Sequence, residues 1–417
     1  MKKWLLALTL LSSVESLHAF RTIPDNEQVR NLIQGKEVKS LLEIEYLNLN
    51  QGKTSIDLWS GSYWPHYQGS LAVRYRDPQF INLIQTLEQW DKFFESYKKK
   101  SAYSYVINHN IDQLSPSEKY DLLVGDSNEM NLTKYSWKLG DKAQLMGSVP
   151  TWRGICDGWS SASQMMPRPK KKILLQSPQG LPLTFYPEDI KALGSLLYSR
   201  TQKNVIFLGK RCFSNIIGVF NSSCDEINPA SFHSALINRV GRMKKSFIAD
   251  VSPGTEVWNY PVNSYDISYF NVFTDEESKD FREAIEVFVK KNRFNKFHRR
   301  HKNTAFIVGV RATVRFTDMR PANLFETDGS SMDKFLDKEY FYDLELDSNY
   351  NILGGETASA NLPDFIWAPN DGTYPLSDPE AMKRPQNPAE LSEMAKRASK
   401  NGQPLSVIVE KLFELAK

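Results

Sequence analysis

Apolar residues recur at helical spacing over residues 26–42 and again over 80–100, the second stretch closing on the basic Lys98, Lys99 and Lys100. Between them, Trp59-Ser60-Gly61-Ser62-Tyr63-Trp64-Pro65 follows neither period and reads as a turn-rich loop anchored by its tryptophans. A small-residue helix is expected to begin at Cys156 and run to Met166, where Pro167-Arg168-Pro169 stops it. Pro187-Glu188-Asp189-Ile190 starts another, with a proline and two acids at the positive end. Residues 246–250 form a short apolar run that reads as a buried strand ending on Asp250. Residues 342–346 and 351–353 read as a strand pair turning at Asp347-Ser348-Asn349. Past Asn361, proline, asparagine and charge take over as in a linker, and amphipathic helices are expected over 389–400 and 405–415.

Composition narrows the class. At 417 residues the chain can bury a large core, and its 12% aromatic content argues for a packed globular protein. A net charge of +3 gives no reason to expect a nucleic-acid partner. Lys2 and Lys3 precede an apolar run from Trp4 to Leu11, and Leu17-His18-Ala19 offers a cleavage site, the pattern of a signal peptide. No stretch reaches the length needed to cross a bilayer, so a secreted or periplasmic protein without membrane insertion is expected. The resulting division is a signal peptide over 1–19, an N-terminal region and candidate pro-segment over 20–135, a core over 136–363, and a linker with a helical tail over 364–417. Nothing in the sequence fixes the oligomeric state.

Candidate chemistry centres on Trp152-Arg153-Gly154-Ile155-Cys156-Asp157-Gly158-Trp159. A cysteine at a helix start meets partial positive charge that favours thiolate, and Gly154 and Gly158 would leave its flanks open to a substrate carbonyl. Asp157 would oppose ionisation unless it turns to the free amides of the first turn. His233, in the small-residue context Pro229-Ala230-Ser231-Phe232-His233-Ser234, is the candidate base, with a satisfied core histidine as the alternative. Asp250 is the candidate orienting acid, with Asn259 and Asp266 in reserve. The basic run 293–302, with His298 and His301, reads as solvated surface. Of the three cysteines, Cys212 and Cys224 could pair and leave Cys156 as the odd thiol, or Cys156 could pair with either. No His/Cys cluster has metal-ligand spacing, and Ile352 stands where a calcium loop starting at Asp347 needs glycine. No cofactor is expected, and a divalent-cation requirement stays open.

Together the segments resemble the secreted transglutaminases first met as elicitors in oomycete plant pathogens, with bacterial relatives. The resemblance is carried by the loop Trp59 to Pro65, the Cys156 block, Asp189-Ile190-Lys191-Ala192-Leu193, Asn228-Pro229-Ala230-Ser231-Phe232-His233 and Ala249-Asp250. It continues through Glu256-Val257-Trp258-Asn259-Tyr260-Pro261-Val262, which is similar to the start of the elicitor peptide. It ends with Leu344-Glu345-Leu346-Asp347, Gly354-Gly355-Glu356 and Pro363-Asp364-Phe365-Ile366-Trp367. It implies a papain-like or transglutaminase-like α+β core in which Cys156, His233 and Asp250 form the triad. Cys156 would then form a thioester with a protein glutamine and pass the acyl group to a lysine amine, so the implied partners are proteins with accessible glutamine and lysine. Trp152, Trp159, Trp258 and Asn259 are the candidate oxyanion donors and substrate-lining groups. The chain departs from the family after Asn259, and at Thr357 where an aromatic residue is expected. A cysteine protease or glutamine deamidase on the same scaffold, or a non-catalytic recognition protein, are the rival readings.

Overall fold

The computed structural model describes residues 23, 27–33, 35–80, 97, 99–144, 150–200, 205–211, 226–252, 254–288, 300–357, 362–370 and 385–417. The signal peptide, most of the helix expected over 80–100, Cys212, Cys224 and His298 lie outside these. The strands are β1 (Gln51–Lys53), β2 (Ile173–Gln176), β3 (Pro182–Phe185), β4 (Val205–Gly209), β5 (Ile248–Asp250) and β6 (Asn259–Phe270). They continue with β7 (Glu277–Ser278), β8 (Glu286–Val287), β9 (Phe306–Asp318), β10 (Lys334–Leu346), β11 (Ile352–Gly354) and β12 (Phe365–Pro369). A ten-stranded antiparallel sheet runs in the order β11-β10-β9-β6-β5-β12-β4, with β1 and β7 on β6 and β8 on β9. Segregated helices beside an antiparallel sheet are the expected α+β class.

Register decides what each strand shows to either side. Asp250 pairs with Asn259, Ala249 with Tyr260, and Trp367 of β12 with Ile248. Because successive side chains alternate, Ile248, Asp250, Asn259 and Trp367 share one face. Ala249 and Ile366 point to the other, into a core with Phe232, Leu236, Val262 and Val310. A second core joins Trp59, Trp64, Trp159, Ile190 and Leu193 to Met394 and Leu412 of the two C-terminal helices.

The N-terminal region is woven into both cores, with Leu41 and Ile44 in the first and Trp59, Trp64 and Tyr75 in the second. Among the described residues, the stretch expected as a helix over 26–42 holds a short turn at Val29–Asn31 and the start of a helix at Leu41–Tyr46 rather than one continuous helix. The stretch expected as a linker begins with strand β12, which sits inside the sheet between β5 and β4. Beyond it the tail helices, Pro388–Lys400 and Ser406–Leu415, are where the periodicity puts them. The strand pair also forms, its first strand longer than expected, and Asp347 Oδ1 accepts from Asn349 N at 2.8 Å and Asn351 N at 2.9 Å to make its turn. The basic run is not wholly solvated: Arg300 is buried and paired with Asp343 and Glu345.

The cysteine helix, Cys156–Met165, packs on the helix Pro187–Ser199. Its serines return their hydroxyls to the preceding turn, Ser161 Oγ to Asp157 O at 2.8 Å for example, so small polar residues are buried without orphaned groups. A Cβ on Gly158 would lie 1.9 Å from the Ser195 carbonyl oxygen, and one on Gly154 would lie 2.3 Å from that of Tyr63. The glycines flanking Cys156 therefore admit neighbouring backbone, which corrects the expectation that they admit substrate.

Candidate active site

Cys156 is the first residue of its helix and is 6% exposed. The aromatic loop is tied to this helix start by Ile155 N donating to Tyr63 O at 2.7 Å. The thiol is a free cysteine whose Sγ donates to Val257 O at 3.6 Å and accepts from Asn259 Nδ2 at 3.6 Å. Behind it, Trp367 Nε1 donates to Asn259 Oδ1 at 2.8 Å. Sulfur, carboxamide and indole thus form one buried chain.

Asp250 stands across the β5–β6 pairing from Asn259 and is 1% exposed. Its Oδ1 accepts from Trp258 N at 2.9 Å, Ser252 Oγ at 3.0 Å and Ser252 N at 3.3 Å. Its Oδ2 has no hydrogen-bond partner among the described residues. Burial pushes this carboxyl up to about 6, against the donors on Oδ1 and with Asp364 adding to the rise.

The thiol is pushed up to about 11 by burial, then by Asp157, while the backbone and side-chain N–H groups of Asn259 pull it down and Asp250 adds a smaller rise. Burial thus works against the thiolate that a helix start favours. Asp157 does turn onto amides, taking its own and that of Gly158 as well as Ser199 Oγ at 3.2 Å, and burial holds it up at about 6.

His233 lies elsewhere. It is fully buried in the last turn of the helix Pro229–Ala235, whose Phe232 packs into the core on the sheet face opposite Asn259 and Asp250. Its Nδ1 is 2.9 Å from Tyr342 Oη, and Nε2 has no partner among the described residues. Burial alone drives the imidazole down to about 3. Among the described residues no histidine hydrogen-bonds to Cys156 or Asp250. Chain order alone could not show which sheet face His233 would take.

The remaining candidates divide. Asn259 touches sulfur, and Trp258 gives its backbone N–H to Asp250 while its ring meets Tyr63 edge-on at 5.3 Å. Trp152 instead lies under the Arg153 guanidinium at 5.4 Å. Trp159 is fully buried with its indole N–H on Trp59 O at 3.1 Å. Asp266 is on the surface, paired with Lys279. Missed from sequence were Val257 as the carbonyl on sulfur, Tyr63 as a wall, and Trp367 as the partner of Asn259. Both aromatics sit in motifs singled out above, but only register brings them to the cysteine. Among the described residues no group of His, Cys, Asp and Glu side chains is placed to hold a metal ion.

The chain is similar to the GP42 transglutaminase from Phytophthora sojae, at 21% identity and a TM-score of 0.56 over 91% of this chain and 94% of that one. At that identity the likeness establishes a transglutaminase-like fold. No curated protein sequence matches the chain. The transglutaminase elicitor model matches residues 36–375, which takes in the whole sheet and every residue described around Cys156, and the chain belongs to that family.

Proposed function

We propose that this protein is a secreted acyltransferase that joins the side-chain carbonyl of a protein glutamine to a lysine amine through a thioester on Cys156. The observation that carries this reading is the free, buried Cys156 held between Asn259 Nδ2 and Val257 O, with Asp250 across the strand pairing from Asn259. Family membership supports the reaction class. Secretion is supported by the family and by the N-terminal sequence, and no described helix is long and apolar enough to cross a membrane.

In the first half-reaction the sulfur attacks the glutamine Cδ as its proton passes to Asp250. Asn259 Nδ2 is the near donor for the charge that gathers on sulfur and on the carbonyl oxygen. The C–N bond then breaks, ammonia leaves with that proton, and a thioester remains. In the second half, a neutral lysine amine attacks the thioester, the C–S bond breaks, and Asp250 takes the proton the amine gives up and passes it to the departing sulfur, restoring thiol and carboxylate. Asp250 is favoured over His233 as the base by position: it stands across the strand pairing from Asn259, which touches the sulfur, whereas His233 is hydrogen-bonded to Tyr342. A deamidase would use the same thioester with water as acceptor, and a protease would form one at a main-chain carbonyl and release a peptide amine; the edge-on Tyr63 and Trp258 rings favour a dry site.

The test is incorporation of a labelled primary amine into a glutamine-rich protein by the mature enzyme and by Cys156→Ala. Label that vanishes in the variant supports transfer. Ammonia or peptide release without label would replace it with hydrolysis.

A further inference from the structure

Trp367 lies in the stretch whose composition reads as linker, yet it is 4% exposed and enters the sheet opposite Ile248. Its ring packs with Ile248 and Phe365, so packing alone would be served by phenylalanine. The indole N–H is a donor and nothing else, and it is spent on Asn259 Oδ1 at 2.8 Å. A carboxamide has two ends of nearly equal shape and opposite polarity. Fixing the oxygen end on Trp367 leaves the NH2 end for Cys156 Sγ, where it stands at 3.6 Å. Were the amide free to turn over, its oxygen lone pairs would face the sulfur and repel a developing thiolate.

We propose that Trp367 is a positioning residue for the acyl-transfer reaction: its indole N–H fixes the orientation of the Asn259 carboxamide so that the amide donates to Cys156. The proposal rests on Cys156 being the nucleophile. It assigns the strand after the expected core to the catalytic machinery, and it explains why that strand carries tryptophan.

The experiment follows alkylation of Cys156 by iodoacetamide against pH, read by intact mass, beside steady-state amine transfer. The enzymes are wild type, Trp367→Phe, Asn259→Ala and the double variant. Phenylalanine keeps the ring and loses the N–H. Its alkylation profile should move to higher pH by about one unit, and kcat should fall about tenfold with KM within about threefold, a modest share of what a lost oxyanion donor costs. The double variant should be no worse than Asn259→Ala, because both substitutions remove one linked interaction. An unchanged Trp367→Phe profile, or effects that simply add, would overturn the proposal. Asn259→Asp gives a second test that does not depend on the tryptophan variant folding. It keeps an acceptor for the indole but turns an oxygen to sulfur, and should suppress alkylation more than Asn259→Ala; equal or better alkylation would also overturn it. Amine transfer that survives Cys156→Ala would sink the underlying reading instead, whatever the profiles show.

Discussion

Replacing Asp250 with asparagine should stabilise the fold at neutral pH while removing activity. The carboxyl is held at about 6 in the folded protein against 3.8 for an ordinary aspartate. A folded pKa above the unfolded one means that, between those values, the native state holds a proton the unfolded chain has released. Stability therefore falls as pH rises through the window from about 4 to about 6. The full penalty, about 3 kcal/mol at one pKa unit per 1.36 kcal/mol, persists above it. The carboxamide introduced by Asp250→Asn carries no charge and escapes this term, though its NH2 would replace the unpartnered Oδ2 and cost about 1–3 kcal/mol at every pH. The charged neighbours Lys338 and Asp364, with Tyr340 and Cys156, are common to both proteins. Lys338, Tyr340 and Cys156 each feel the Asp250 charge, so subtracting the two stabilities gives the Asp250 term together with its couplings to them. Urea unfolding of both proteins from pH 3.5 to 8 should give a difference that is flat below about 4, swings by about 3 kcal/mol in favour of the variant by about pH 7, and is flat again. A flat line throughout, or a swing toward wild type, would refute the account of a desolvated carboxylate.

Two other substitutions separate packing from chemistry. Gly158→Ala pushes a methyl into the Ser195 carbonyl across the helix contact and should cost about 1–3 kcal/mol or more in thermal or urea unfolding; a loss under about 1 kcal/mol would mean the two helices are not in that contact. His233→Gln removes the ring from Tyr342 Oη and should cost about 1–3 kcal/mol, while amine transfer per folded molecule stays within about threefold of wild type. A hundredfold loss in the folded variant would restore His233 to the reaction.

What the sequence disclosed, and what it did not, follows from the range of each signal. Local rules placed the cysteine helix and its stop at Pro167, the start at Pro187, the Asp347 turn and both tail helices, since each depends on a few neighbouring residues. Family resemblance reached the fold and the nucleophile candidate. Neither could tell that Asn259 and Asp250 would stand side by side across two strands, or that His233 would fall on the opposite face. Those outcomes depend on register and on how the sheet is covered, which are long-range properties. Strand β12 was hidden because proline and asparagine surround a short apolar run, and its place in the sheet depends on β4 and β5. The burial that opposes ionisation of this helix-start cysteine is a quantity that local sequence does not carry.

The most direct measurement mixes the enzyme with a glutamine-containing peptide under rapid quench in acid and weighs the intact protein. Wild type and His233→Gln should gain the peptide mass less one ammonia, mapped to Cys156 and discharged by added amine, whereas Asp250→Asn should gain nothing on the same timescale. Adduct formation by Asp250→Asn at the wild-type rate, or its loss in folded His233→Gln alone, would contradict the assignment of Asp250 as the base. No adduct on Cys156 in any of the three, with amine transfer still proceeding, would contradict the thioester itself.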